Sequence, residues 1–360
     1  MKNITTFTGV AIALIAGTLS FAQDTTSIFP LMPGSVSTVP SNGDVNPYGI
    51  AFAPANLPAG PGLQPGDILV TNFNNSNNLQ GTGTTIIRIT KGGQKSTFFT
   101  APQQFGGLSA AICILSDGLV FVGDLPTADG TSATAQVGRI AVLDRAGDFL
   151  GTFGTPSLIQ GPWGMAVHDV GNGVTGTAKV WISNVLNGTV VRFNLSYNAG
   201  SITASQQVLA TGFSHRADPA ALELGPSGLA YNAAQDKLYV ASSSDNAIYE
   251  IATAAAANSE VTPSLFLSDP THLHGPLDLA FLPNGNLLVA NSDGSNVDPN
   301  QPSEIVEYTA AGVFISQMPV DPNNGGAFGL AVNNIGWGTF TLAAVDDNQN
   351  TLNIWTAVAK

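Results

Sequence analysis

Two of the chain's four histidines, His272 and His274, stand in the stretch DPTHLHGPLDLAF at 269–281, with Asp278 four residues beyond the second. In extended backbone, side chains two apart share a face, so the two imidazoles and the carboxylate align unless Gly275-Pro276 breaks the alternation. A second cluster, SHRAD, supplies His215, Arg216 and Asp218. Imidazole nitrogen and carboxylate oxygen are zinc donors, and carboxylates also hold calcium. His272, His274 and Asp278 are therefore the candidate metal set; no motif requires a cofactor, and a divalent ion, Ca or Zn, is the one these groups would take. With an imidazole as general base and a guanidinium to hold an anion, His272, His274, Asp278, His215 and Arg216 form a candidate catalytic set. The structural alternative is that the loop histidines bond neighbouring backbone while Asp278 meets water.

Other chemical signals are weaker. DGSNVDPNQPSE at 293–304 carries acidic residues at the first and twelfth positions of a calcium loop, but Asp298 replaces the glycine needed at the sixth, so an EF-hand is rejected. Looser calcium binding by Asp293, Asp298 and Glu304 stays open. Neither G-x-S-x-G nor H-E-x-x-H occurs. Cys113, the only cysteine, lies in an apolar run and reads as buried filler, and His168 has no obvious partner.

Whether the ionisable groups meet depends on the scaffold, which the repeats specify. One phrase recurs as NPYGIAF (46–52), GPWGMAV (161–167), GPSGLAY (225–231), GPLDLAF (275–281) and GAFGLAV (326–332), with a weaker copy, LSAAIC, at 108–113. Each copy is followed by a second apolar run such as DILVTN, KVWISN or NLLVAN, then a third, and usually a fourth. Runs rich in Val, Ile, Phe and Tyr, bounded by Gly, Pro, Asn and Asp, are strands. Six units of four antiparallel strands predict an all-β fold, a six-bladed β-propeller. The last unit lacks an outer strand, and GSVSTVP at 34–40 precedes the first phrase; it is expected to pair into the last blade and close the ring, removing open edges.

Within this frame Asp278 is the departure, because its counterparts are Gly49, Ala111, Gly164, Gly228 and Gly329. The second strands end in Asn72, Asp124, Asn184, Ser242, Asn291 and Asp346. Such a ring suits binding, but short Asx side chains also cap turns. The stretches 72–84, 124–138, 214–225 and 291–303 all emerge on one side of the ring, so one face is elaborated, as expected of a binding surface.

The G-P-x-G-[LIM]-A-[FVY] openings and [LV]-x-V-x-[ND] second strands resemble the NHL-repeat propellers and the related six-bladed SMP-30/gluconolactonase and strictosidine-synthase groups, over residues 34–357. The resemblance implies the fold and leaves the activity open among hydrolases, lyases and binding modules. Gluconolactonases hold their metal partly through Asn and Asp just before the phrase's Gly; the matching residues here are Tyr48, Ala110, Trp163, Ser227, Leu277 and Phe328. That metal set does not carry over. Tyr48, Trp163 and Phe328, with Ser227, are left as a rim that either stacks on a flat ligand or sugar or plugs the channel.

The ends and the composition bound the rest. Lys2, the apolar run at 9–19 and Ser20-Phe21-Ala22 follow the order of a cleavable signal, expected as 1–22, with a lead-in at 23–33 and the propeller at 34–360. A secreted or periplasmic product is expected. Net charge is −13 with 11 Lys and Arg, none clustered, which argues against nucleic acid and anionic membranes; no membrane insertion is expected. The leading expectation is a binding or interaction module for a small molecule, glycan or protein on the loop-rich face, the alternative a metal-dependent hydrolase or lyase of the lactonase type.

Overall fold

The computed structural model describes residues 25–102, 105–198, 201–292 and 294–358; the segment expected from the sequence to be a signal, 1–22, and Asp293 lie outside them. Six four-stranded antiparallel sheets form the blades of a β-propeller. Blade 1 runs Val45–Phe52, Ile68–Asn74, Thr85–Ile89 and Lys95–Thr100 from axis to rim, and the next four blades repeat that order. Blade 6 takes Ala327–Gly336, Thr339–Asp346 and Thr351–Val358 from the C-terminal end and Gly34–Ser37 from the N-terminal end. Gly34 pairs with Ile354 and Ser37 with Thr351, so the ring is closed as the sequence predicts. The lead-in is also packed: Ile28, Phe29 and Leu31 lie against the core between blades 5 and 6, and the Ile28 N–H donates to Glu307 Oε2 at 3.0 Å.

The repeated phrase has a mechanical reason. In each inner strand the register slips within the phrase, for example between Pro47 and Ile50, between Pro162 and Gly164, and between Ala327 and Leu330. Such bulges bend the strand and bring its backbone against the next blade. A Cβ added to Gly49 would lie 2.9 Å from Ala110 Cα and from two backbone oxygens of blade 2, so no larger residue fits without displacing that blade. Hydroxyls then bolt neighbours together: Ser183 Oγ accepts from the Gly164 N–H at 2.8 Å and donates to the Ser227 carbonyl of blade 4 at 2.6 Å. Thr71 links blades 1 and 2 in the same manner.

Apolar side chains fill the six gaps between neighbouring blades, one cluster per gap. Cys113 is buried in the cluster between blades 2 and 3. A seventh cluster lies elsewhere, on the axis at the loop-rich face. Among the described residues no helix is long and apolar enough to cross a membrane.

Candidate functional site: a plugged axis and a half-open channel

The inner strands deliver Tyr48, Trp163, Leu277 and Phe328 to the axis where the phrase begins. The Tyr48 ring centroid lies 5.3 Å from Trp163, 5.4 Å from Phe73 and 4.7 Å from Phe328, while Phe73 meets Trp163 edge-on at 5.3 Å. Tyr48 and Trp163 are buried, and Ser227 has no exposed surface. Of the two readings open for these residues, the structure therefore selects the plug; they do not form an open rim on which a ligand could stack. The reason is mutual contact: the rings meet edge-to-face and tilted at these separations, with only Phe328 half-buried, so their faces are taken up by one another.

Four members of the plug escaped the sequence reading: Phe73, Leu125, Val185 and Leu222. The first three follow directly on the second-strand residues Asn72, Asp124 and Asn184, so a repeat alignment extended by one position would have found them. Blades 4, 5 and 6 carry Ser243, Ser292 and Asp347 there, so the plug is apolar on one side of the axis and polar on the other. Leu222 arrives differently. Residues 216–218 and 222–224 pair as a small hairpin that reaches over the axis, where the Ala220 carbonyl accepts from Gln80 of blade 1 at 3.2 Å and the Leu222 carbonyl accepts from Ser132 of blade 2. Leu222 has φ of 63°, a left-handed conformation costing a branched residue about 1–2 kcal/mol. Burial of its side chain over the plug offsets that strain.

The second-strand ring is structural. Asn72 donates to the Thr38 carbonyl at 3.2 Å, Asn184 to the Leu158 carbonyl at 2.9 Å and Asn291 to the His272 carbonyl at 2.7 Å. In each case the amide holds the connection arriving from the previous outer strand or, in blade 1, from the closing strand. Burial raises Asp124 to about 6 against the pull of Arg139, whose guanidinium lies 3.2 Å away.

The five side chains of the candidate catalytic set do not converge. His272 stacks on Phe314 of the outer strand at 3.6 Å, and its Nδ1 lies 2.7 Å from Asp269 Oδ2. Burial pushes Asp269 up, but hydrogen bonds from His272 and the Thr271 N–H outweigh it and hold the carboxyl below its usual range. The His274 ring contacts the Asn296 and Thr271 carbonyls at 3.3 Å, with Asp298 3.9 Å away. His215 is exposed, and Arg216 pairs with Asp218 within its own hairpin at 2.9 Å. Among the described residues no three His, Cys, Asp or Glu groups are placed to hold a metal ion, so His272, His274 and Asp278 are not brought together as ligands. The alternation failed at Gly275, whose φ of 67° turns the chain between the histidines and the strand.

Asp278 belongs to the channel. Its oxygens accept the N–H groups of Leu279 and of Leu330 in blade 6, both at 2.9 Å. Beneath the plug it lines a cavity of about 240 Å³ whose other walls include Ile50, Ile112, Met165, Leu229 and Leu330. Burial in these apolar surroundings raises its pKa to about 7, with the two N–H groups opposing. Among the described residues no other charged residue lines the cavity.

No family model matches the chain, and no curated protein matches it. Solved structures of similar fold include a gluconolactonase from Xanthomonas campestris, at 11% identity over 91% of this chain and 90% of that one, with a TM-score of 0.53. A calcium-binding protein, regucalcin, from Agrobacterium tumefaciens is similar at 12% identity over 91% and 94%, TM-score 0.52. Virginiamycin B lyase from Staphylococcus aureus follows at 14% over 91% and 100%, TM-score 0.50. At such identities the likeness supports the fold alone, the blade count being this chain's own six sheets, and leaves the chemistry to this chain's own residues.

Proposed function

We propose that the chain is an exported, NHL-like propeller that works as a binding module, with its loop-rich face presented to a protein or glycan. The observation that carries this reading is the capped plug. A hairpin bonded to the loops of blades 1 and 2 seals the axis, which favours a partner that spreads over the loops rather than a small molecule entering the channel from that side. Loops tied to one another also lose little further entropy on binding.

The test compares the wild type with a variant whose 126–136 loop is replaced by a short Gly-Ser turn, on arrays of defined glycans and purified extracellular proteins. Saturable binding lost with the loop supports the reading; binding that survives loop removal overturns the choice of face. Lactone hydrolysis that needs zinc or calcium and stops with chelator overturns the binding module altogether. Export is checked by N-terminal sequencing of the released product, expected to begin at Gln23; an uncut chain retained in the cytoplasm overturns it.

A further inference from the structure

Blade 3 outgrows its neighbour. Its three outer strands, Thr175–Asn184, Thr189–Asn198 and Ser201–Ala210, have 10 residues each, against 6, 6 and 4 in blade 4. The surplus lies where second strands begin and third strands end, on the face opposite the elaborated loops. A groove of about 760 Å³ results between the two blades, within the range of small-ligand sites.

Register makes the groove wall polar across the whole blade. His168 pairs with Lys179, Lys179 with Asn194, and Asn194 with Ser205, and directly paired residues share a sheet face. Two residues along, Thr177, Ser196 and Thr203 form a parallel row on the same face. Across the groove stands Tyr231, its ring held between buried Trp181 at 4.4 Å and His168 at 5.2 Å.

Lys179 is the chemical outlier. Its Nζ meets Asn194 Oδ1 at 2.6 Å, and the ion pairs of the described residues do not include it. The nearby Arg192 donates to the carbonyls of Ala254, Ala255 and Ala257. Asp236, the carboxylate of the facing wall, already accepts the Tyr231 hydroxyl and the N–H groups of Ala255 and Ala256. Desolvation, then the charge of Arg192, lower the Lys179 pKa, and only Asp236 opposes them.

We propose that this groove is a second ligand site, separate from the loop-rich face, that takes an acidic oligosaccharide of the uronic acid type. A sugar carboxylate pairs with Lys179 Nζ, and the sugar hydroxyls exchange hydrogen bonds with the Asn194–Ser205 and Thr177–Ser196–Thr203 rows. Hydroxyls and amides both donate and accept, as vicinal sugar hydroxyls require, and strands about 4.8 Å apart set a spacing on the scale of one pyranose ring.

Isothermal titration with trigalacturonic acid and with its fully methyl-esterified form separates charge from hydroxyl recognition, with the glucuronate and mannuronate trisaccharides as parallel probes. At a net charge of −13, the protein as a whole repels an acid, so preference for the acid over its ester reports a local cation. At least one of the acids is expected to bind about tenfold more tightly than its ester, the scale of one charge-assisted hydrogen bond. Lys179→Met is expected to abolish that preference with the melting temperature unchanged, and Thr203→Val on the exposed outer strand to weaken acid and ester alike. Equal binding of acid and ester, a preference that survives Lys179→Met, or no binding of any of the three acids overturns the proposal.

Discussion

The two ends of the axial channel are built from the same repeated phrase and finish in opposite ways. At the loop-rich end four of the six residues at the position before the phrase's Gly, Tyr48, Trp163, Leu277 and Phe328, are large, and Phe73, Leu125, Val185 and Leu222 close over them. At the other end the phrase's later residues leave an apolar cavity with Asp278 in its wall. Long loops signalled a binding surface, yet one of them was spent on filling the centre of its own face. A groove of about 760 Å³ lies on the opposite face, because blade 3 has extended strands rather than a longer loop.

The largest expected effect tests the plug. Trp163→Ala removes a fully buried indole and is expected to cost about 3–5 kcal/mol in urea unfolding. Met165→Ala, two residues further into the half-open channel, is expected to cost about 1 kcal/mol. Equal losses at the two positions would erase the contrast between the ends.

Leu222→Ala is expected next, at about 2 kcal/mol. The left-handed strain remains while the burial that compensates it is reduced. A neutral result would show that the hairpin merely rests on the plug.

The channel carboxyl should be visible in pH dependence. Burial raises Asp278 and Asp347 to about 7 and Asp124 and Asp346 to about 6. Each folded-state value lies above the unfolded one, near 4, so the unfolded chain ionises first as pH rises. Their contribution is therefore full below about pH 4, declines as pH climbs through about 7, and is flat beyond. The melting temperature is expected to fall between pH 5 and 8, and Asp278→Asn to remove a part of that fall worth roughly 1–3 kcal/mol, reduced by solvent screening because the carboxyl is only half-buried. A melting temperature that rises over this range, or a slope unchanged in Asp278→Asn, would contradict the burial of that carboxyl among apolar side chains.

The smallest effect is expected at a surface hairpin of blade 6. Trp337 is fully exposed at its tip with φ of 56°. Trp337→Gly relieves left-handed strain and loses no packing, so a stabilisation of up to about 1 kcal/mol is expected by thermal unfolding. Destabilisation would show that the indole has a contact partner within the fold.

The blades were legible because each repeat restates its alternation and its turn residues, and six copies cancel local ambiguity. The closing strand was legible for the same reason: one unit lacked a strand, and one segment was in the right place. The site was not. His272 and His274 sat at favourable spacing, but Gly275 turned the chain and the rings found local partners, Phe314 and Asp269 for His272. His168 looked partnerless because its neighbours Lys179 and Tyr231 come from other strands, one of them in another blade.

By itself, the sequence determined the number of blades, the strand order within each and the closure of the ring, since these follow from periodicity and from the need to pair every edge. It also marked Asp278 as the one large departure from a small-residue position. Only the tertiary structure decided that the aromatic residues plug the axis, that the ionisable groups of blade 5 part company, and that blade 3 opens a groove against blade 4. Side-chain convergence depends on the direction of each Cα–Cβ bond and on what neighbouring blades leave vacant. A periodic pattern carries the first only within regular strands, and it carries nothing of the second.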